Sequence, residues 1–125
     1  MKYIAYLLNL PWTLIGIANV PFCLPYKISF RDEAVVVHGL CCGLVHLYAP
    51  RAKGFAIGNL AVVRKNTKLG ILEHELVHVE QHMRYPLIYQ FLYFCETLRK
   101  GYWKNRFEVE AYDRTDTWPE EKRWY

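Results

Sequence analysis

A chain of 125 residues that is 53% apolar has enough hydrophobic side chains for one folded domain, and too many for a disordered one. A formal net charge of +4 is scattered among acids rather than gathered in a stripe, which excludes nucleic acid as an expected partner. Of the four cysteines, Cys41 and Cys42 are adjacent, a poor disulfide framework. With no secretory signal bearing a clear small-residue cleavage site, the expected setting is reduced and cytoplasmic.

From Tyr3 to Tyr26 no residue carries a formal charge. The stretch is long enough to cross a bilayer. However, Pro11, Pro21 and Pro25 interrupt it, and Asn9, Thr13 and Asn19 dilute it. It reads as one short helix to about Leu10 and another from Pro11, where proline is tolerated in a first turn. These would pack on the domain or rest on a membrane surface rather than span it.

Tyr26 to Arg31 and Ala34 to His38 read as strands joined at Asp32-Glu33. Leu44 to Ala49 reads as a third strand, ending at Pro50. His38, Cys41, Cys42 and His46 are ligand types, but their spacing matches no common zinc framework, and Gly39 and Gly43 suggest a turn. Phe55 to Ile57 and Leu60 to Val63 flank Gly58-Asn59, either as a hairpin or as one strand with a glycine bulge. If Leu60 to Val63 were a free edge it could align an extended peptide; an inner strand could not.

The spacing predicts a helix from about Thr67 to Arg84. Leu69, Leu72, Leu76, Val79 and Met83 form one stripe at helical period. His74, Glu75, His78, Gln81 and His82 form a second, polar face that also holds Ile71, and Glu73, Glu80 and Arg84 turn to water. Asn66 or Thr67 can cap the start, and Pro86 ends the helix. Within it stands His74-Glu75-Leu76-Val77-His78. Two imidazoles one turn apart can reach one zinc ion, and Glu75 beside them can take a proton from water that the metal activates. A chance match has odds on the order of a few in a thousand. His82 lies about 12 Å along the axis from His74, too far to share the ion. It reads as a group orienting a ligand, a substrate-side group, or a plain polar helix residue.

Leu87 to Arg99 reads as an apolar backing helix stopped by Gly101, and Asn105 opens a last helix, NRFEVEAYDR. Thr115 to Tyr125 reads as an irregular tail. A catalytic zinc needs a third protein ligand, and Glu108 and Glu110 are the downstream candidates. Asn105-x-x-Glu108 is also a capping-box signature, in which Glu108 would merely serve the helix start.

The motif HELVHVEQH followed by Glu108-Val109-Glu110-Ala111 on a second helix resembles the gluzincin branch of zincin metallopeptidases, in particular the small single-domain minigluzincin-like proteins. The motifs cover roughly Gly70 to Asp113. The resemblance implies His74 and His78 as ligands and Glu75 as general base. A Glu-x-x-Ala alignment makes Glu108 the third ligand; a Glu-Ala alignment makes it Glu110. Tyr112 stands where that group commonly has Asp or Asn, so Asp113 is the alternative hydrogen-bond partner for a ligand histidine. The metzincin pattern fails, because Gln81 and Arg84 occupy its Gly and His positions.

The resulting expectation is a single zincin-like α+β domain over residues 1–125. A small, mostly antiparallel sheet would pack on the metal helix and the backing helix, with an apolar N-terminal helical segment. The implied activity is zinc-dependent hydrolysis of a peptide or protein substrate, with Tyr112, His82 or a tail tyrosine as oxyanion donor. Two alternatives stand beside it. One is a zinc-stabilised binding domain without catalysis, seated on a membrane through residues 3–26. The other is a peptidase inhibited by its own Asp116, Glu120 or Glu121.

Overall fold

The computed structural model describes residues 2–31, 34–47, 53–65, 67 and 69–116. Four strands form one sheet: β1 (Pro25–Arg31), β2 (Ala34–Gly39), β3 (Gly54–Ile57) and β4 (Leu60–Arg64), in the order β1-β2-β4-β3. The valine-rich β2 and β4 are apolar towards both faces, which suits central strands. The outer strands pair antiparallel, but β2 and β4 run parallel, with Val36 opposite Ala61. The sheet is therefore mixed, a correction to the mostly antiparallel expectation. Apolar runs say which residues are buried; they do not fix the direction of a partner remote in sequence.

Alternate side chains divide between two layers. Val36 and Val63 pack on Leu72, and Ala34 and Ala61 pack on Val79, all against helix α2 (Leu69–Arg84). Val37, Leu60 and Val62 pack the other way, with Cys23 and Val20. That second side is crossed by helix α1 (Lys2–Asn19). Helices α3 (Tyr89–Lys100) and α4 (Arg106–Thr115) follow, and α4 packs beside α2. The architecture is α+β, with four α-helices and the mixed sheet among the described residues.

α1 is one helix through Pro11, not two. Proline costs the helix the bond to the Leu7 carbonyl, but tertiary contacts hold the helix along its length. Ala5, Asn9, Gly16 and Asn19 form one buried row. Asn9 Nδ2 donates to the His82 carbonyl at 3.1 Å, and Asn9 Oδ1 accepts the Leu87 N–H at 3.0 Å. Thr13 Oγ1 accepts the Asn59 N–H at 2.9 Å.

The β3–β4 connection is a hairpin with positive φ at Gly58 (59°), the first position of a two-residue turn. A Cβ there would also lie 2.8 Å from Thr13 Cα. Leu60–Val63 is an inner strand; the edges are β1 and β3, and β3 is the one beside it. Gly43–Leu47 is a 3-10 helix rather than the start of a strand, and residues 48–49 lie outside the described residues. Gly43 has φ 67°, and Leu44 gives its N–H to Asn19 Oδ1 at 2.8 Å, so a side chain takes the place of a strand partner.

Candidate metal centre

α2 begins two residues later than the sequence predicted, at Leu69. Thr67 does not cap it; its hydroxyl donates to the Arg64 carbonyl at 2.8 Å. Asn66 lies outside the described residues. Leu72, Leu76 and Val79 of the apolar stripe face the sheet as expected. The polar face is covered as well: His74, Glu75, His78, Gln81 and His82 are all buried. What covers it is α4, whose first turn is fixed by Asn105. The Asn105 side chain accepts the Phe107 N–H at 2.9 Å and donates to the Tyr93 carbonyl and the Thr97 hydroxyl, tying α4 to α3.

This anchoring points Glu108 inwards. Glu108 Oε1 lies 3.0 Å from His74 Nε2 and 3.1 Å from His78 Nε2, and the two nitrogens lie 3.2 Å apart. Zinc bonds of 2.0–2.1 Å in a tetrahedron put donor atoms about 3.3 Å apart. Three lone-pair atoms at the corners of so small a triangle fit one cation. Among the described residues only His74, His78 and Glu108 form such a group. Glu108 does not make the capping box, since its carboxylate is turned to these rings and to Tyr93, whose hydroxyl donates to Oε2.

The electrostatics agree with a need for positive charge. Burial alone would raise the Glu108 pKa, but the His78 charge and hydrogen bonds from His74, His78 and Tyr93 hold it well below the usual carboxylate range. Burial alone would lower His78, but the Glu108 carboxylate overrides it and pushes it up to about 9. Both shifts have one cause: the placement of these groups favours positive charge between them.

The orientation of His78 comes from Gln81, which the sequence placed on the polar face without a role. Gln81 Nε2 donates to the Phe107 carbonyl at 3.0 Å and to Glu110 at 2.7 Å, so Oε1 must face the other way. There it accepts from the Tyr89 hydroxyl at 2.6 Å and stands 2.8 Å from His78 Nδ1. His78 Nδ1 therefore carries the proton, and Nε2 is left with its lone pair on the cation side. Replacing Gln81 by leucine is expected to weaken zinc binding by about 10–100-fold. Titration against a competing chelator checks this, and unchanged affinity would remove Gln81 from the centre.

Glu75 is buried beside the triangle. Burial raises its pKa, His78 and His74 pull it back, and Glu108 adds to the rise. No described group hydrogen-bonds its carboxylate. β3 passes close by. A Cβ on Gly54 would lie 3.2 Å from Glu75 Cγ and 2.9 Å from the Val62 carbonyl, so only glycine lets the edge strand run there.

The remaining candidates separate. Glu110 points away from the triangle and pairs with Arg84 at 3.1 Å and Arg114 at 3.4 Å. Tyr112 lays its ring against His74, centroids 4.3 Å apart, and its hydroxyl meets that of Tyr102 at 2.9 Å. Burial lifts the Tyr112 hydroxyl to about 12, so it stays protonated. Asp113 is exposed on α4. Asp116 follows α4 as an exposed left-handed cap and is not among the three donors, while Glu120 and Glu121 lie outside the described residues. Cys41 and His46 face elsewhere: the Cys41 thiol donates to the Phe22 carbonyl, and His46 Nε2 accepts the Cys42 N–H. A cavity of about 250 Å³ lies on the Glu73–Glu80 flank of α2, bordered by Arg31 and Arg114 and away from the triangle.

His82 is directed to the core, not to the triangle. Its Nε2 accepts the Gly58 N–H at 3.2 Å and faces the Gln90 amide at 2.9 Å. A backbone N–H can only donate, so this nitrogen must stay unprotonated. Burial, with His78 nearby, pushes the His82 pKa down to about 3. Between that value and 6.5 the unfolded chain binds the proton and the folded one does not. The resulting stability is complete above pH 6.5 and lost as pH falls, by up to about 1.4 kcal/mol per unit. Denaturant melts of zinc-loaded wild type and His82→Gln should show the acid slope reduced in the variant. Equal slopes would contradict this.

Compared with known proteins, the chain matches no family model, no curated protein and no solved structure.

Proposed function

We propose that this chain is a zinc-dependent peptidase of gluzincin type, with His74, His78 and Glu108 as metal ligands and Glu75 as general base. The reading is supported above all by one observation: three donor atoms from two helices lie 3.0–3.2 Å from one another. His74, His78 and Glu108 would hold the ion, which would supply Lewis acidity to a carbonyl and bring the pKa of a water near neutrality. The chain's own groups do the rest. Glu75, desolvated and unpaired, takes the proton from the attacking water and returns it to the leaving amine. Gln81 and Tyr89 hold His78 in the tautomer that presents Nε2. Tyr93 secures the far oxygen of Glu108. The main chain of β3, the edge strand beside Glu75, offers hydrogen bonds to an extended peptide.

A second reading is favoured by burial. His74, His78 and Glu108 are each no more than 6% exposed, as in metal sites that only stabilise a fold. The two differ in turnover. Wild-type protein, stripped by a chelator and reconstituted with zinc, is expected to regain cleavage of a degenerate peptide library as it regains the metal. Reconstituted protein that melts higher yet cleaves nothing would leave a zinc-stabilised binding domain in place of a peptidase.

A further inference from the structure

One side of the molecule is apolar and uncovered. The outer face of α1 presents Ile4, Leu7, Leu14 and Ile15, each more than half exposed. On α3, Phe91, Phe94, Cys95 and Leu98 form an outward stripe at helical spacing, while Tyr89 and Glu96 turn inwards. The two faces adjoin, because the Trp12 ring stands edge-on to Phe91 at 5.6 Å and its Nε1 donates to the Leu87 carbonyl at 2.7 Å. On β1, Ile28 and Phe30 pair with Val37 and Val35, which places them on the α1 side of the sheet, and both are exposed.

We propose that this composite face seats on an anionic lipid bilayer, with α1 lying flat in the interface. Charge points to that occupant. Residues 1–30 contain Lys2 and Lys27 and no acid, while Arg31 turns to the other side of the sheet and pairs with Glu73 of α2 at 2.8 Å. The α3 stripe runs into Arg99 and Lys100; the one acid of that helix, Glu96, is buried and shared between Arg99 at 3.7 Å and Arg106 at 3.8 Å. Basic residues at the rim of an apolar face suit acidic headgroups. Chemistry points the same way. From Leu7 to Ala18 the outward positions of α1 carry only hydrocarbon, save the edge of Trp12. A protein partner would want hydrogen bonds across the contact; lipid tails want none.

The flat orientation follows from the other side of α1. Asn9, Thr13 and Asn19 are spent on the domain: Asn9 on His82 and Leu87, Thr13 on Asn59, and Asn19 on Cys42 and Leu44. Drawing α1 out to cross the bilayer would break these bonds and leave the amides in hydrocarbon. α2 packs on the opposite face of the sheet, so the His74–His78–Glu108 triangle stays on the aqueous side. The seating does not depend on the peptidase reading.

Full-length zinc-loaded protein, freed of detergent, is floated with vesicles of phosphatidylcholine alone or mixed with phosphatidylglycerol. It is expected to float with both, and roughly 10-fold more strongly with the anionic mixture at low salt. F91S/F94S/L98S is expected to reduce flotation at least ~10-fold with circular dichroism and zinc content unchanged. Cys95 should react more slowly with an impermeant maleimide once vesicles are added. Lys2→Cys and Lys27→Cys should both stay reactive from outside. Absence of flotation, equal flotation of the triple variant, or a lipid-free dimer that the triple variant dissolves would each overturn the proposal. So would protection of only one of the two engineered cysteines, which would mean that α1 spans.

Discussion

Alanine at Glu108 is expected to weaken zinc binding by more than ~100-fold, while alanine at Glu110 changes it by less than about 10-fold. Sequence alignment alone left the two glutamates open, because they lie two apart on one helix and either satisfies a short motif. Two residues along a helix is about 200° of rotation, so the two carboxylates cannot face the same ion. The geometry separates them. Glu108 is 4% exposed, touches both imidazoles and receives the Tyr93 hydroxyl. Glu110 is half-buried between Arg84 and Arg114 and reaches the centre only through Gln81. Removing Glu108 deletes one of three charge-compensating donors and leaves two imidazoles facing each other. Removing Glu110 frees one N–H of an amide that the Phe107 carbonyl still holds. Metal content after dialysis and competition with a chelating dye read both variants. Zinc lost from Glu110→Ala and kept by Glu108→Ala would reverse the assignment.

Why the sequence left that pair open, and much else plain, is a matter of range. α2 announces itself because its period, its proline stop and its apolar stripe are local. The Asn105 cap is local too, and it fixes the rotation of α4. The parallel pairing of β2 with β4 is not local, and nothing in either valine run encodes direction. Pro11 argued for a break in α1, yet Asn9 and Thr13 bond to residues far along the chain and keep the helix whole. The apolar run at Leu44 read as a strand because its competitor, the Asn19 side chain, lies 25 residues away. In the candidate centre, the residues with metal-ligand chemistry were legible by type and spacing. Gln81, Tyr89 and Tyr93 were not. An amide and two phenols carry no motif, and their roles exist only once α3 and α4 close on α2. His82 is the converse case: its chemistry suits the centre, but its place on the helix, already too far along to share the ion, turns it to the Gly58 turn.

Glutamine at Glu75 is expected to lower kcat/KM for peptide cleavage by about 10²–10⁴-fold or more, with zinc content unchanged. The change keeps the shape of the side chain and removes its capacity to take a proton. Nothing else in the centre can substitute. The Glu108 carboxylate is committed to His74, His78 and Tyr93 and held at low pKa. Tyr112 is held protonated by burial, and His82 is turned away. Fold stability gives an independent control. Burial disfavours the charge on Glu75, so a neutral amide in its place should hold or raise the melting temperature of the zinc-loaded protein. Loss of activity together with an equal or higher melting temperature identifies a group kept for chemistry at the expense of stability. A variant that hydrolyses peptides at the wild-type rate would remove Glu75 from the reaction. A variant that loses activity only because it loses zinc or melts early would make Glu75 part of the scaffold.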